Sequence, residues 1–207
     1  MTWTLPNILT VLRLVAAPGV AVMFLYFSRP WADFLALALF IVAAITDWFD
    51  GYLARSWGQE SKFGAMLDPI ADKAMVVIAL VILTGYSGMN PWLILPVTVI
   101  LFRETFVAGL REFLGTDSGK LKVTRLAKWK TTAQMVAIAI LFLGTGLTYV
   151  ETGRPPRVGE GDLPTGLTPA DLATHAGIVL IWIAAILTAI TGWDYFRKAL
   201  PYLRGPK

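Results

Sequence analysis

The chain has 207 residues, of which 56% are hydrophobic and 15% charged, and its formal net charge is +4. Soluble domains have about 45–50% apolar and about 25% charged residues, so this composition argues against a water-soluble globule and against a disordered chain. The sequence has no cysteine and a single histidine, His175. It therefore excludes disulfides, thiolate catalysis and cysteine-based metal sites.

Apolar stretches follow one another along nearly the whole chain. A helix needs roughly 20 mostly apolar residues to cross about 30 Å of hydrocarbon. Six stretches meet this requirement, and they span residues 8–27, 31–54, 69–86, 91–113, 131–150 and 173–196. The sequence therefore predicts an all-α integral membrane protein with six transmembrane helices, built as one membrane-embedded domain over residues 1–207.

The basic residues are unevenly distributed between the two ends of these spans. Six of the 18 lysines and arginines lie from the end of the fourth span to the start of the fifth, and four follow the sixth. Because cytoplasmic loops carry the excess of positive charge, we expect both termini and the basic loops in the cytoplasm, where they also attract anionic headgroups of the lipid bilayer. The Gly- and Pro-rich segment 151–171 is then expected to be an extracytoplasmic surface loop without packed structure.

Polar side chains occur at one depth on five of the six predicted helices. A helix rises about 1.5 Å per residue, so the depth of a residue follows from its position in the span. The residues near the cytoplasmic interface are Asn7, Thr10 and Arg13 of the first span, Asp47 and Asp50 of the second, Asp68 and Asp72 of the third, Arg111 of the fourth, and Lys128, Lys130, Thr131 and Gln134 of the fifth. Arg103 lies about 12 Å deeper than Arg111. Charged residues within spans are costly and mark functional sites, so we expect one pocket open to the inner leaflet and the cytosol.

The four aspartates form two pairs with helical spacing. Asp47 and Asp50 are three residues apart, and Asp68 and Asp72 are four apart, so each pair shares one helical face. Four carboxylates in one pocket repel each other, and bound cations remove that cost. Oxygen ligands without histidine or cysteine suit Mg²⁺ or Mn²⁺. Two such ions about 3.5–4 Å apart form a clamp for phosphoryl transfer.

Simpler interpretations exist for the same aspartates. Asp68-Pro69 has the pattern of a helix N-cap followed by proline at the first helical position, so capping alone is one alternative. For Asp47 and Asp50 the alternative is solvation at a helix end. Neither alternative explains why four acidic residues occur together at one depth.

The segment from Asp47 to Asp72 resembles the signature of the CDP-alcohol phosphotransferase family. That signature is D-x2-DG-x2-AR-x8-G-x3-D-x3-D, and every defining position is present here. The pairs Arg103-Glu104 and Arg111-Glu112 and the segment 128–135 also resemble bacterial members of the family that use glycerol 3-phosphate. The resemblance covers roughly the first 150 residues and the final span.

The resemblance implies an enzyme of the bacterial inner membrane that transfers the phosphatidyl group of CDP-diacylglycerol to an alcohol and releases CMP. By similarity, two ions of Mg²⁺ or Mn²⁺ bind to the aspartates. Asp47, Asp50 and Asp68 hold one ion, and Asp47, Asp68 and Asp72 hold the other. Asp72 is also the expected general base on the attacking hydroxyl.

The resemblance further implies where the two substrates bind. Gly51, Arg55 and Ser61 contact the cytidine diphosphate half of the donor by similarity, with help from Asn7 and Thr10. The acceptor glycerol 3-phosphate needs cations near its phosphate. The candidates are Arg103, Arg111, Lys128 and Lys130, with Thr131 beside them.

Other functions remain open at this point. Within the family the acceptor could be inositol phosphate, serine, choline, ethanolamine or a second lipid. A transporter coupled to cations or protons is the alternative from another class, although transporter sites more often lie near the midplane on broken helices. We expect a homodimer from the resemblance, and no nucleic acid as a partner.

Overall fold

The computed structural model describes residues 4–57, 61–115, 125–154 and 168–203, leaving aside the side chains of residues 48, 50–55, 125, 127 and 128. Within these ranges the chain is helical and contains no strand. The six helices are α1 (Leu5–Tyr26), α2 (Trp31–Ser56), α3 (Lys62–Tyr86), α4 (Pro91–Leu114), α5 (Arg125–Thr152) and α6 (Pro169–Leu203). The predicted all-α architecture is confirmed for this part of the chain.

Four of these helices are long and apolar enough to cross a membrane, namely α1, α4, α5 from Trp129 onward, and α6. They make the chain a multi-pass membrane protein, as the composition predicts. The remaining helices, α2 and α3, carry the four aspartates of the signature. Their crossing of the membrane stays a prediction.

The start of α3 differs from the prediction. The proposed N-cap at Asp68 is wrong, because the helix already begins at Lys62 and Pro69 lies inside it. Ser61 is the actual N-cap, and its side-chain oxygen accepts a hydrogen bond from the backbone N–H of Gly64 at 2.9 Å. Since this cap starts the helix about two turns earlier, Asp68 projects from a helical side instead of a helix end.

The helices pack through small residues and a few central aromatic rings. α1 lies against α2 and α3, α5 lies against α6 and α2, and α4 packs on α6. The rings of Phe24 and Phe40 both lie close to Phe142, with centroids 5.9 and 6.2 Å from its centroid. Between α5 and α6, a Cβ atom added to Gly177 would lie 2.7 Å from Leu141, so glycine is required for this close approach.

One end of the bundle is tied by a buried ion pair. Asp33, at the start of α2, is fully buried and accepts hydrogen bonds from Arg29. The guanidinium of Arg29 also lies over the rings of Phe24, Tyr86 and Tyr149, at 5.4–5.7 Å from their centroids. These contacts join the α1–α2 turn to α3 and α5.

The predicted extracytoplasmic loop falls mostly outside the described residues. α5 ends at Thr152 and α6 begins at Pro169, so the two ends of the predicted 151–171 loop are helical. Residues 155–167 are not described, and the expectation for them stays a prediction. α6 has 35 residues and continues seven residues past the predicted end of its span at Phe196.

Candidate active site

Four of the predicted site residues have side chains outside the described part of the structure. Asp50, Gly51 and Arg55 lie on the last turns of α2, and Lys128 lies on the first turn of α5. Their contacts are not described, and their roles stay predictions.

Three of the four signature aspartates converge on Arg13, and we call Asp47, Asp68, Asp72 and Arg13 the carboxylate cluster. Nη1 of Arg13 donates hydrogen bonds to Oδ1 of Asp47 and, at 2.7 Å, to Oδ1 of Asp72. Oδ1 of Asp68 lies 4.0 Å from Nη2. The side chain of Arg13 is 2% exposed, whereas those of the three aspartates are between 44% and 51% exposed. The arginine therefore forms the inner wall of a site whose carboxylates face outward.

The seam between α1 and α3 brings together three predicted donor-binding residues. Thr10 donates a hydrogen bond to Asp68 at 2.8 Å. The hydroxyl of Ser61 donates to Oδ1 of Asn7, also at 2.8 Å. A Cβ atom added to Gly64 would lie 2.7 Å from this same Asn7 oxygen. The signature glycine is thus explained by the close approach of the two helices.

A cavity of about 260 Å³ opens beside the carboxylate cluster. Its polar side is formed by Arg13, Asp47 and Asp72, together with Thr131 and Thr132 at the start of α5. Its other walls are apolar and include Ala44, Met135 and Val136. The same three apolar residues also line an apolar groove of about 360 Å³ between α2 and α5. A polar site thus continues into an apolar groove, which fits a ligand with a charged head and a hydrocarbon tail.

A second group of charges, Arg103, Glu104 and Lys130, joins α4 to α5, and we call it the basic cluster. Nη1 of Arg103 lies 3.0 Å from Oε1 of Glu104, and Nζ of Lys130 donates a hydrogen bond to the same oxygen. Nη2 of Arg103 is 3.5 Å from the hydroxyl of Thr191 on α6. Lys73, the neighbour of Asp72 in the chain, is close enough for its charge to act on both Glu104 and Lys130. The basic cluster and the carboxylate cluster therefore adjoin each other.

Two other predicted acceptor residues, Arg111 and Thr131, lie outside the basic cluster. The guanidinium of Arg111 is 5.3 Å from the ring centroid of Tyr195, on the exposed surface between α4 and α6. Thr131 lines the carboxylate cavity. Of the four predicted acceptor residues whose side chains are described, the structure thus brings Arg103 and Lys130 together.

Arg13 and the neighbouring Lys73 had no substrate or metal role in the sequence-based prediction, and Glu104 entered it only as a possible ion-pair partner of Arg103, a contact that the structure contains. For Arg13 the signal in the sequence is its depth, which is level with that of the acidic residues. A buried arginine and several carboxylates at one depth favour an ion pair. For Glu104 the signal was a carboxylate next to Arg103 inside an apolar span.

The donor atoms of the carboxylate cluster suit a divalent cation. Within the described residues, no three acidic or histidine side chains already surround an ion position. The three described carboxylates of the cluster lie around the guanidinium of Arg13. Three carboxylates and one guanidinium carry a formal charge of −2. Half-exposed carboxylate oxygens with a net negative charge are the ligands that Mg²⁺ and Mn²⁺ prefer. The residues present therefore fit such ions.

The sequence matches the family model described as CDP-alcohol phosphatidyltransferase over residues 3–190. The chain belongs to this family, whose members generally use divalent metal ions. The predicted family membership is confirmed.

Several full-length relatives bear one name, CDP-diacylglycerol–glycerol-3-phosphate 3-phosphatidyltransferase. The chain is 71% identical to the protein of that name from Cereibacter sphaeroides, with 100% of both chains covered. It is 39% identical to that from Rickettsia bellii and 37% identical to that from Escherichia coli K12, with 96% of each chain covered in both comparisons.

Proposed function

We propose that this protein transfers the phosphatidyl group of CDP-diacylglycerol to glycerol 3-phosphate, releasing CMP and forming phosphatidylglycerophosphate. The observation that carries the proposal is the carboxylate cluster at the polar end of a cavity that continues into an apolar groove. The name shared by the full-length relatives supports the choice of both substrates.

The donor lipid would bind along α2 and α5. Its charged head would lie in the polar cavity, near Asn7, Thr10 and Ser61 and near the last turns of α2 with Gly51 and Arg55. Its acyl chains would follow the apolar groove, because that groove shares its walls with the polar cavity. Two divalent ions would be held by Asp47, Asp50, Asp68 and Asp72, and when bound they would neutralise the diphosphate and stabilise the leaving CMP.

The reaction is a displacement at the β-phosphorus of the donor. A hydroxyl oxygen of glycerol 3-phosphate forms the new P–O bond, and the bond to the CMP oxygen breaks with its electron pair leaving on CMP. Asp72 would take the proton from the attacking hydroxyl, since its half-exposed carboxylate faces the cavity. Holding both substrates in one cavity supplies the alignment that the displacement requires.

The basic cluster would bind the phosphate of the acceptor. Arg103 and Lys130 share one carboxylate, so the cluster keeps a formal charge of +1, and Lys73 adds a further positive charge nearby. A guanidinium binds phosphate through two parallel hydrogen bonds. This excess of positive charge favours a phosphorylated acceptor over a neutral or zwitterionic one such as serine. Lys128 and Arg111 would extend the basic surface.

The setting of the enzyme belongs to the same proposal. The bias of lysine and arginine supports a bacterial inner-membrane enzyme with both termini and the active site facing the cytoplasm. The family resemblance supports a homodimer.

The test uses purified protein, CDP-diacylglycerol and Mg²⁺, with labelled glycerol 3-phosphate, inositol phosphate and serine in separate tubes. We expect label to enter the organic phase with glycerol 3-phosphate. Label entering with another acceptor would reassign the substrate. Folded protein that gives no labelled lipid with any acceptor, in Mg²⁺ or in Mn²⁺, would contradict the proposed enzyme.

A further inference from the structure

We propose that Arg13 is a positioning residue that assembles the carboxylate cluster before divalent cations bind and competes with those cations for the same oxygen atoms. The inference rests on the proposed metal-assisted function. It concerns a residue of α1, outside the family signature that supplies the aspartates.

The burial of Arg13 requires partners of opposite charge. Its side chain is 2% exposed, and it lies on a helix whose neighbouring residues Leu12 and Val15 are more than half exposed on the apolar outer surface. A guanidinium at such a position is costly unless carboxylates compensate it. The carboxylates of α2 and α3 equally need a cation, because they repel each other. Each side of the cluster therefore stabilises the other.

The geometry of the contacts shows that α1 organises both acidic helices. One nitrogen of Arg13 bridges Asp47 of α2 and Asp72 of α3 and so sets the separation of these two carboxylates. Thr10, three residues earlier on the same helical face, holds Asp68 at 2.8 Å. A cation that merely decorated the helix end would not join two other helices in this way.

The same contacts predict competition with metal ions. The Oδ1 atoms bound by Arg13 are oxygens that a divalent cation would also use, and the guanidinium repels any cation placed there. A unit charge a few ångströms from a divalent ion changes its affinity by more than about tenfold even with strong screening. The hydrogen bonds that Arg13 donates to Asp47 and Asp72 stabilise the metal-free cluster, and an ion that takes the same oxygens must displace them. Both the charge and the hydrogen bonds of Arg13 therefore oppose metal binding, and removing Arg13 should tighten it.

The test is a titration of metal-free protein in detergent with Mn²⁺, following free Mn²⁺ by electron paramagnetic resonance. Arg13→Gln should lower the Kd for Mn²⁺ by about tenfold or more. Arg13→Lys keeps the charge and should stay within about threefold of the wild type. Lys198→Gln is the matched control, because it removes one positive charge from an exposed pair with Asp194 on α6. It should leave the Kd unchanged.

A second measurement keeps the inference testable if Arg13→Gln does not fold. In infrared difference spectra, wild-type protein labelled with ¹⁵N-arginine should show a guanidinium stretching band that shifts when Mg²⁺ is added. Arg13→Lys should lack this Mg²⁺-dependent band. An unchanged Kd in folded Arg13→Gln, or no Mg²⁺-dependent arginine band in the wild type, would overturn the role of Arg13 alone. Failure of the wild type to bind Mn²⁺ would overturn the metal site and this inference together.

Discussion

At the scale of single residues, the carboxylate of Asp72 faces two environments. Oδ1 accepts a hydrogen bond from Arg13 at 2.7 Å, while the side chain stays 51% exposed toward the cavity. A carboxylate held in this way has a fixed orientation and an accessible lone pair. Proton transfer from a bound hydroxyl requires both.

Asp72→Asn should therefore lower kcat by about 10²–10⁴-fold at saturating Mg²⁺, because an amide cannot accept the proton. Binding of CDP-diacylglycerol, measured by equilibrium binding of a labelled donor, should persist. Asp194→Asn, which changes an exposed aspartate on α6, is the matched control and should retain normal turnover. Near-normal turnover in Asp72→Asn would remove Asp72 as the base.

Lys130 and Arg111 are both predicted to bind the acceptor, but their different positions predict different effects of substitution on acceptor binding. Lys130 is buried in the basic cluster, whereas Arg111 is exposed over Tyr195. Lys130→Gln should raise the KM for glycerol 3-phosphate by at least about tenfold, the range expected for a hydrogen bond to a charged group, with little change in the KM for the donor. Arg111→Gln should have a smaller effect. Equal effects, or a larger one at Arg111, would move the phosphate site toward α6.

The sequence predicted the depth of these residues along their helices better than it predicted which residues they contact. Residue spacing gives depth through the helical rise, and this placed Arg13 and three aspartates at one level. Depth does not tell which way a helix faces, so the sequence left open that Arg13 points at Asp47 and Asp72. For the same reason, Arg103 and Arg111 were grouped together, although the structure separates them.

At the scale of helices, the seam of α1 and α3 depends on one glycine. Gly64 lies on the first turn of α3, where Ser61 caps the helix and binds Asn7. The sequence identifies the signature from Gly64 to Asp72, but it did not predict that α3 starts at Lys62. Proline after aspartate is typical of a helix start, and the preceding serine cap outweighed that pattern.

Gly64→Ala should therefore destabilise the protein by about 1–3 kcal/mol, because its Cβ atom would lie 2.7 Å from Asn7. It should also raise the KM for CDP-diacylglycerol. Gly85→Ala, near the other end of α3, is the matched control, since no atom lies within 4 Å of its added Cβ. It should be neutral or slightly stabilising, because alanine favours a helix. Thermal unfolding in detergent measures the stability of both variants. Equal stabilities of Gly64→Ala and Gly85→Ala would contradict the close packing of α1 against α3.

At the scale of the whole molecule, the course of α2 and α3 decides on which side of the membrane each connecting segment lies. Four helices meet the length and composition needed to cross, and these two carry the acidic residues. If both cross, the segments before α2, between α2 and α3, and after α3 must alternate between the two sides.

Because the sequence has no cysteine, single cysteines report this alternation directly. Ser28→Cys and Met89→Cys should react with a membrane-impermeant maleimide in intact spheroplasts, and Trp57→Cys should react after permeabilisation. All three positions are exposed in the structure. Labelling of all three from one side would show that α2 and α3 do not cross. The cysteine-free parent protein supplies the background.

The buried pair of Arg29 and Asp33 makes the two ends of the bundle mechanically unequal. Three aromatic rings and a fully buried carboxylate fasten the start of α2 to α3 and α5, whereas the other end holds half-exposed carboxylates around a cavity. Asp47 is about 21 Å along α2 from Asp33, so a tilt of about 5° about the fastened end moves it by about 2 Å. A tilt of α2 about its start near Asp33 would therefore change the width of the groove between α2 and α5 most at the end that holds the carboxylates.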